Sequence, residues 1–124
     1  MVYKTDTGTY HIDCFSNHFT NSPSLTEIPE IVGELGPGRN IGSGIVALLM
    51  GAKEYWAFEG PDPRRWNDED NIYYLNEIYK ALLEGYRTQY LPSFSKDDLH
   101  DRYTAIMFAL KGTNSSEASN HIRS

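Results

Sequence analysis

The chain has 124 residues, a length that suits one domain of modest size. Apolar residues make up 40% of it and aromatic residues 13%, proportions typical of a globular core rather than of a disordered chain. Acidic residues outnumber basic residues 17 to 11, which gives a net charge of −6. This charge disfavours non-specific binding to nucleic acids and to anionic membranes, so neither is expected as a partner.

Cysteine content and hydropathy narrow the class of protein further. Cys14 is the one cysteine, so an intrachain disulfide bond and a zinc site built from several thiolates are excluded. No apolar run approaches the roughly 20 residues that a membrane-spanning helix needs. The N-terminal residues lack the apolar core of a signal peptide, and the four histidines show no metal-ligand spacing. We therefore expect a cytoplasmic protein with no metal and no membrane partner.

Residues 1–26 form a polar leader interrupted by glycine and proline. Within this leader Tyr10, Ile12 and Cys14 alternate with polar residues, which is the period of a short strand. A turn at residues 6–8 would pair that strand with residues 2–3 in a hairpin. A leader without regular structure is the alternative.

Residues 27–112 alternate between strand and helix patterns. A short apolar run at 30–35 predicts a strand, and a glycine-rich stretch then leads into a helix from residue 41 or 42 to about Met50. A second strand is predicted at 54–59, which has the unbroken apolar and aromatic character of a buried parallel strand. Two prolines in the loop that follows delay the next helix.

Two more helices complete this segment. Apolar residues recur at intervals of three and four over 72–86, after acidic residues suited to a helix N-terminus. Ser95 precedes Asp98 by three residues, which resembles a capping box and predicts a helix over 96–110. The tail at 113–124 is polar, and we expect it to be disordered.

The order strand, glycine turn, helix, strand, helix, helix predicts an α/β fold. It is the opening of a Rossmann-like, doubly wound sheet. Since this β-α-β-α-α run contains only two strands, the sheet is incomplete and an edge of it is expected to be open. An open edge offers a route to self-association.

The stretch "GELGPGRNIGSG", residues 33–44, predicts a turn at which backbone approaches a ligand closely. A phosphate-binding Walker loop requires Lys-Ser or Lys-Thr after its last glycine, and the stretch has neither. A dinucleotide fingerprint counted from Gly36 places its third glycine at Ile41, whose side chain would obstruct the approach to a pyrophosphate. The sequence therefore disfavours both a Walker loop and a dinucleotide-binding site.

The run Glu34-Leu35-Gly36-Pro37-Gly38 resembles the glycine-rich motif of class I S-adenosylmethionine-dependent methyltransferases. Glu59 ends the next predicted strand, where that family keeps the acidic residue that binds the ribose hydroxyls. The resemblance covers residues 30–60 and extends only loosely to the two later helices. It implies S-adenosyl-L-methionine as cofactor, bound by Glu34, Gly36, Gly38, Asn40, Glu59 and Gly60.

The resemblance also implies a role for each of these residues. The glycines of the turn would let the methionyl and ribose portions lie against bare backbone, and Glu34 would orient the amino group. Glu59 would accept hydrogen bonds from two hydroxyls at once, while Gly60 would leave room for the adenine. Asn40 stands where many members have a third glycine, and asparagine tolerates left-handed backbone angles.

The full methyltransferase fold is seven-stranded and much longer than this chain. The resemblance therefore implies the N-terminal, cofactor-binding half of a truncated methyltransferase, inactive by itself, for which neither catalytic residues nor a methyl acceptor can be named. The alternative is a non-catalytic α/β interaction module whose glycine turn is purely structural.

Overall fold

The computed structural model describes residues 7–21, 28–35, 42–58, 68–111 and 122–123. Its helices are α1 Thr7–Thr20, α2 Gly42–Leu49, α3 Asp68–Leu83 and α4 Lys96–Lys111. Its strands are β1 Ile31–Leu35, β2 Glu54–Phe58 and β3 Ile122–Arg123, and one turn of 3₁₀ helix spans Thr88–Tyr90. The protein is thus of the α/β class and is mostly helical.

The three strands form one parallel sheet in the order β1-β2-β3. Residues 31–35 of β1 pair one by one with residues 54–58 of β2. Tyr55 and Trp56 of β2 pair on the other side with Ile122 and Arg123. Parallel neighbours need a crossover connection; α2 lies in the first of these, and α3 and α4 lie in the second.

Helix α2 is the centre of the core. All of its residues from Gly44 to Leu49 are buried, because it packs on β1 and β2 as well as on α1, α3 and α4. A helix that is apolar on every side is typical of such a position. Buried residues of α3 and α4 extend the same core: Leu75, Ile78, Leu82, Leu99, Ile106 and Leu110.

The elements predicted for α2, β2 and α4 are confirmed to within one residue at each end. Ser95 caps α4 as expected, since its Oγ accepts a hydrogen bond from the backbone N–H of Asp98 at 3.0 Å. Gly51 and Gly85 follow α2 and α3 with φ of 116° and 86°. This left-handed geometry is common just past the end of a helix.

The predicted N-terminal hairpin is wrong, because residues 7–20 form helix α1. Ile12 is fully buried whereas Tyr10, which the strand pattern placed on the same face, is 60% exposed. Packing of α1 against α2 and α3 accounts for the difference, since such contacts override weak local preferences. Residues 1–6 and 22–26 of the predicted leader lie outside the described residues.

The prediction of a disordered tail is also wrong for two of its residues. Ile122 and Arg123 pair in parallel with β2. The edge of β2 presents backbone N–H and C=O groups that a further strand satisfies. Residues 113–121 and Ser124 lie outside the described residues.

None of the helices in the described ranges combines the length and the apolar character needed to cross a membrane.

Asp13 links α1 to the chain just beyond α3. Its Oδ1 accepts a hydrogen bond of 2.8 Å from Tyr86 Oη. The same oxygen forms an ion pair with Arg87 Nε at 3.0 Å. The hydrogen bond to this carboxylate raises the pKa of Tyr86. Arg87 has a φ of 54°, an uncommon value for a residue other than glycine. The two contacts therefore stabilise the unfavourable backbone geometry at Arg87, and they attach α1 to the chain just beyond α3.

We expect Asp13→Ala to lower the free energy of unfolding by about 1 kcal/mol, the usual scale for contacts to a partly exposed charge. Alanine favours helix, so the loss would report the tertiary contacts rather than the helicity of α1. Urea denaturation measures the change. Asn17→Ala, at an exposed position of the same helix, is the matched control, and equal stability of the two variants would contradict this role for Asp13.

Candidate functional site

The carboxyl ends of β1 and β2 lie side by side. The register pairs Leu35, the last residue of β1, with Phe58, the last residue of β2, and paired strands are about 4.8 Å apart. Gly36 and Glu59 follow these two residues directly in the sequence. The two segments of the predicted cofactor motif therefore leave the sheet at neighbouring points of one edge.

Glu34 is the predicted binding residue that falls within the described part of the chain. The others lie outside the described residues: Gly36, Gly38, Asn40, Glu59 and Gly60. The structure thus gives the positions of Leu35 and Phe58, after which the two motif segments begin. It also gives the position of Glu34, whose carboxylate precedes the predicted glycine turn.

Tyr55 of β2 holds this carboxylate. Tyr55 is fully buried, and its Oη donates a hydrogen bond of 2.5 Å to Glu34 Oε1. The register puts Val32, Glu34 and Tyr55 on one face of the sheet, the face that α2 covers. A carboxylate has about four acceptor positions. Glu34 is therefore oriented by Tyr55 and keeps the capacity to bind a cation or a donor group.

A cavity of about 320 Å³ lies beside Glu34, between α1, β1 and α2. Its walls are mainly apolar, and the polar lining residues in the described part of the chain include Glu34, His18, Ser43 and Tyr55. The volume lies at the lower end of the range for small-molecule sites. In the described ranges no group of three or more His, Cys, Asp or Glu side chains could hold a metal ion. The apolar walls and the volume of the cavity suit a small organic ligand.

Two glycines of the 33–44 stretch allow α2 to pack closely. A Cβ atom at Gly44 would lie 2.5 Å from the ring of Tyr55, and one at Gly42 would lie 2.2 Å from the ring of His11. No side chain fits at such distances. Part of the glycine content is therefore explained by packing, and this explanation does not extend to residues 36–41, which are not described.

Gly44→Ala is expected to destabilise the protein by about 1–3 kcal/mol, because the added methyl group overpacks the buried contact with Tyr55. The helix propensity of alanine offsets only part of this cost. Thermal and urea denaturation would measure it beside Ser43→Ala, a control in the same turn of α2. The loss of stability caused by Gly44→Ala should be smaller when Tyr55→Leu is also present. An equal loss with and without Tyr55→Leu would contradict the assignment of the effect to this contact.

His11 packs its imidazole against the N-terminal end of α2. The side chain is 7% exposed, and its ring meets that of Tyr74 edge-on with centroids 5.3 Å apart. Burial lowers the pKa of His11 below its ordinary value of 6.5. The folded protein therefore favours the neutral form of this ring.

Stability should consequently fall in acid. His11 becomes protonated in the unfolded chain as the pH drops below about 6.5, while burial opposes its protonation in the folded chain. Protonation therefore stabilises the unfolded state relative to the folded state. Above that pH both states hold a neutral ring and the contribution is constant. Denaturation at about pH 7.5 and pH 5.5 measures the loss. The loss of stability should be smaller for His11→Phe, and an equal loss in that variant would contradict the assignment to His11.

Sequence reasoning missed two parts of this site. The first is the cavity wall from α1, although Ile12, Phe15 and Phe19 recur at the spacing of a helix face and could have indicated it. The second is the hydrogen bond from Tyr55 to Glu34. No sequence signal predicts it, because it depends on the register of β1 against β2.

Comparison of the chain with protein-family models, with curated proteins and with solved structures finds no match. A functional assignment therefore depends on the residues and geometry of this chain.

Proposed function

We propose that the chain binds S-adenosyl-L-methionine at the carboxyl ends of β1 and β2, as the cofactor-binding half of a class I methyltransferase-like domain. The observation that carries the proposal is the register that ends the two strands opposite each other, at Leu35 and Phe58. Ligands of open α/β sheets bind outside the carboxyl ends of the strands. A cofactor lying across both ends would reach the turn that starts at Gly36 and the carboxylate of Glu59.

The topology supports a Rossmann-like sheet. The strands are parallel, helices lie in the connections between them, and β1 is at one end of the order. One half of a doubly wound sheet has this strand order. Ile31 points away from the face that α2 covers and is 59% exposed. A complete doubly wound sheet carries helices on both faces, and within the described ranges the start of β1 is exposed on the face opposite α2.

Glu34 is proposed to orient the amino group of the methionyl part. Tyr55 restrains its carboxylate, and a hydrogen bond between carboxylate and ammonium is among the stronger polar contacts of proteins. Glu59 is proposed to accept hydrogen bonds from the ribose hydroxyls. The cofactor carries a sulfonium group and no phosphate, so the site requires no lysine. The backbone of the remaining motif residues would lie against the cofactor: Gly36, Gly38, Asn40 and Gly60.

The proposal covers binding and does not include turnover by this chain alone. Methyl transfer is an in-line displacement that depends mainly on the positioning of donor and acceptor. We assign no catalytic residue and no methyl acceptor.

A non-catalytic interaction module is the second candidate, and two observations favour it. Gly42 and Gly44 have a packing role that needs no ligand. Within the described ranges β1 pairs with β2 alone, so its other edge can accept a strand from another chain. This candidate predicts a folded protein that forms a complex and has no affinity for the cofactor.

Isothermal titration calorimetry with S-adenosylhomocysteine tests the proposal. We expect saturable binding by the unaltered chain. Binding should be at least about tenfold weaker for Glu59→Ala, because the loss of hydrogen bonds to a charged acceptor costs roughly 1.5 kcal/mol or more. Glu54→Ala, at the opposite end of β2, is the matched control and should bind normally.

Circular dichroism establishes that each sample is folded. No binding by the folded chain, or equal binding by Glu59→Ala, would overturn the cofactor proposal. A stable oligomer in native mass spectrometry, combined with no affinity for the ligand, would favour the interaction module.

A further inference from the structure

The cavity beside Glu34 has an aromatic wall. Phe15 and Phe19 of α1 lie nearly parallel in it, with ring centroids 6.4 Å apart and planes inclined by 13°. Val32 and Tyr55 line the cavity from the sheet. At about 320 Å³ the cavity can hold a small organic molecule. Its walls favour a ligand with an aromatic or branched aliphatic body.

The charges that line the cavity indicate the sign of the ligand. Among the lining residues that the structure describes, Glu34 is acidic, His18 is the other titratable residue besides Tyr55, and there is neither lysine nor arginine. Tyr55 occupies one acceptor position on Oε1, and the carboxylate can accept further hydrogen bonds. An anion would be repelled by the carboxylate of Glu34. An ammonium ion would gain a charge-assisted hydrogen bond and contact with the faces of aromatic rings.

We propose that this cavity binds a small organic ammonium ion with an aromatic or branched aliphatic body. The ammonium group donates to Glu34, and the body lies against Phe15, Phe19 and Val32. The ligand is distinct from the cofactor proposed above. Glu34 belongs to both proposals, and the other lining residues within the described ranges come from α1, residues 28–33, α2 and Tyr55.

Three probes of similar shape and different charge test the inference: 2-phenylethylamine, 2-phenylethanol and 3-phenylpropanoate. Each is titrated into the full chain by ligand-observed NMR at about pH 8, where an ordinary imidazole is neutral and an alkylamine is charged. We expect the amine to bind about tenfold or more tightly than the alcohol, and the carboxylate not to saturate. Equal affinity for amine and alcohol would overturn the proposal.

Matched variants locate the binding. Glu34→Gln should abolish the preference for amine over alcohol. Glu30→Gln should keep it, because Glu30 is an exposed carboxylate just before β1. Phe19→Ala should weaken the binding of the amine and of the alcohol by at least about threefold, because aromatic contact is lost. Phe108 is 61% exposed on α4, and Phe108→Ala should leave the binding of both unchanged. A preference that survives in Glu34→Gln would overturn the proposal even if Phe19→Ala failed to fold.

Titrations of the same proteins with S-adenosylhomocysteine separate this inference from the cofactor proposal. Phe19→Ala should bind S-adenosylhomocysteine normally, and Glu59→Ala should bind the amine normally. Amine binding without any affinity for S-adenosylhomocysteine would support the cavity ligand and overturn the cofactor proposal. A Phe19→Ala variant that loses both ligands equally would assign the cavity to the cofactor and overturn the inference.

Discussion

The close approach of α2 to its neighbours is the contact on which the rest of the packing depends. At Gly44 the ring of Tyr55 occupies the space of a side chain, and at Gly42 the ring of His11 does so. Glycine within a helix costs about 1 kcal/mol relative to alanine. That cost is offset because Tyr55 can be buried under α2 in a position from which its hydroxyl reaches Glu34. The packing of the core and the orientation of the site carboxylate thus have one origin.

Local signals predicted β1, α2, β2, α3 and α4, and they did not predict α1, the 3₁₀ turn at Thr88–Tyr90 or β3. Ser95 and Gly85 mark helix ends through their own geometry, which needs no partner elsewhere in the fold. Helix α1 has no acidic residue in its first turn and contains Gly8, so its helicity depends on packing against α2 and α3. The two residues of β3 are specified by the edge of β2 more than by their own sequence.

The candidate site was predictable to the extent that it lies at strand ends. The position of Glu34 at the end of β1 follows from the bounds of that strand. Its partner Tyr55 follows from the register between two strands, which a hydrophobic pattern specifies weakly when one of the strands is short and glycine-containing. The cavity wall formed by Phe15 and Phe19 does not follow from the strand pattern at Tyr10, Ile12 and Cys14, because it requires the helix that spans residues 7–20.

Helix α1 contributes to two environments at once. Ile12 belongs to the fully buried core, whereas Phe15 and Phe19, one and two turns later, face the cavity. A molecule held in that cavity would touch α1 and would bind only the state in which α1 is docked, so binding and docking would be thermodynamically linked. Asp13, although it lies outside the cavity lining, would then influence affinity through the fraction of molecules in which α1 is in place.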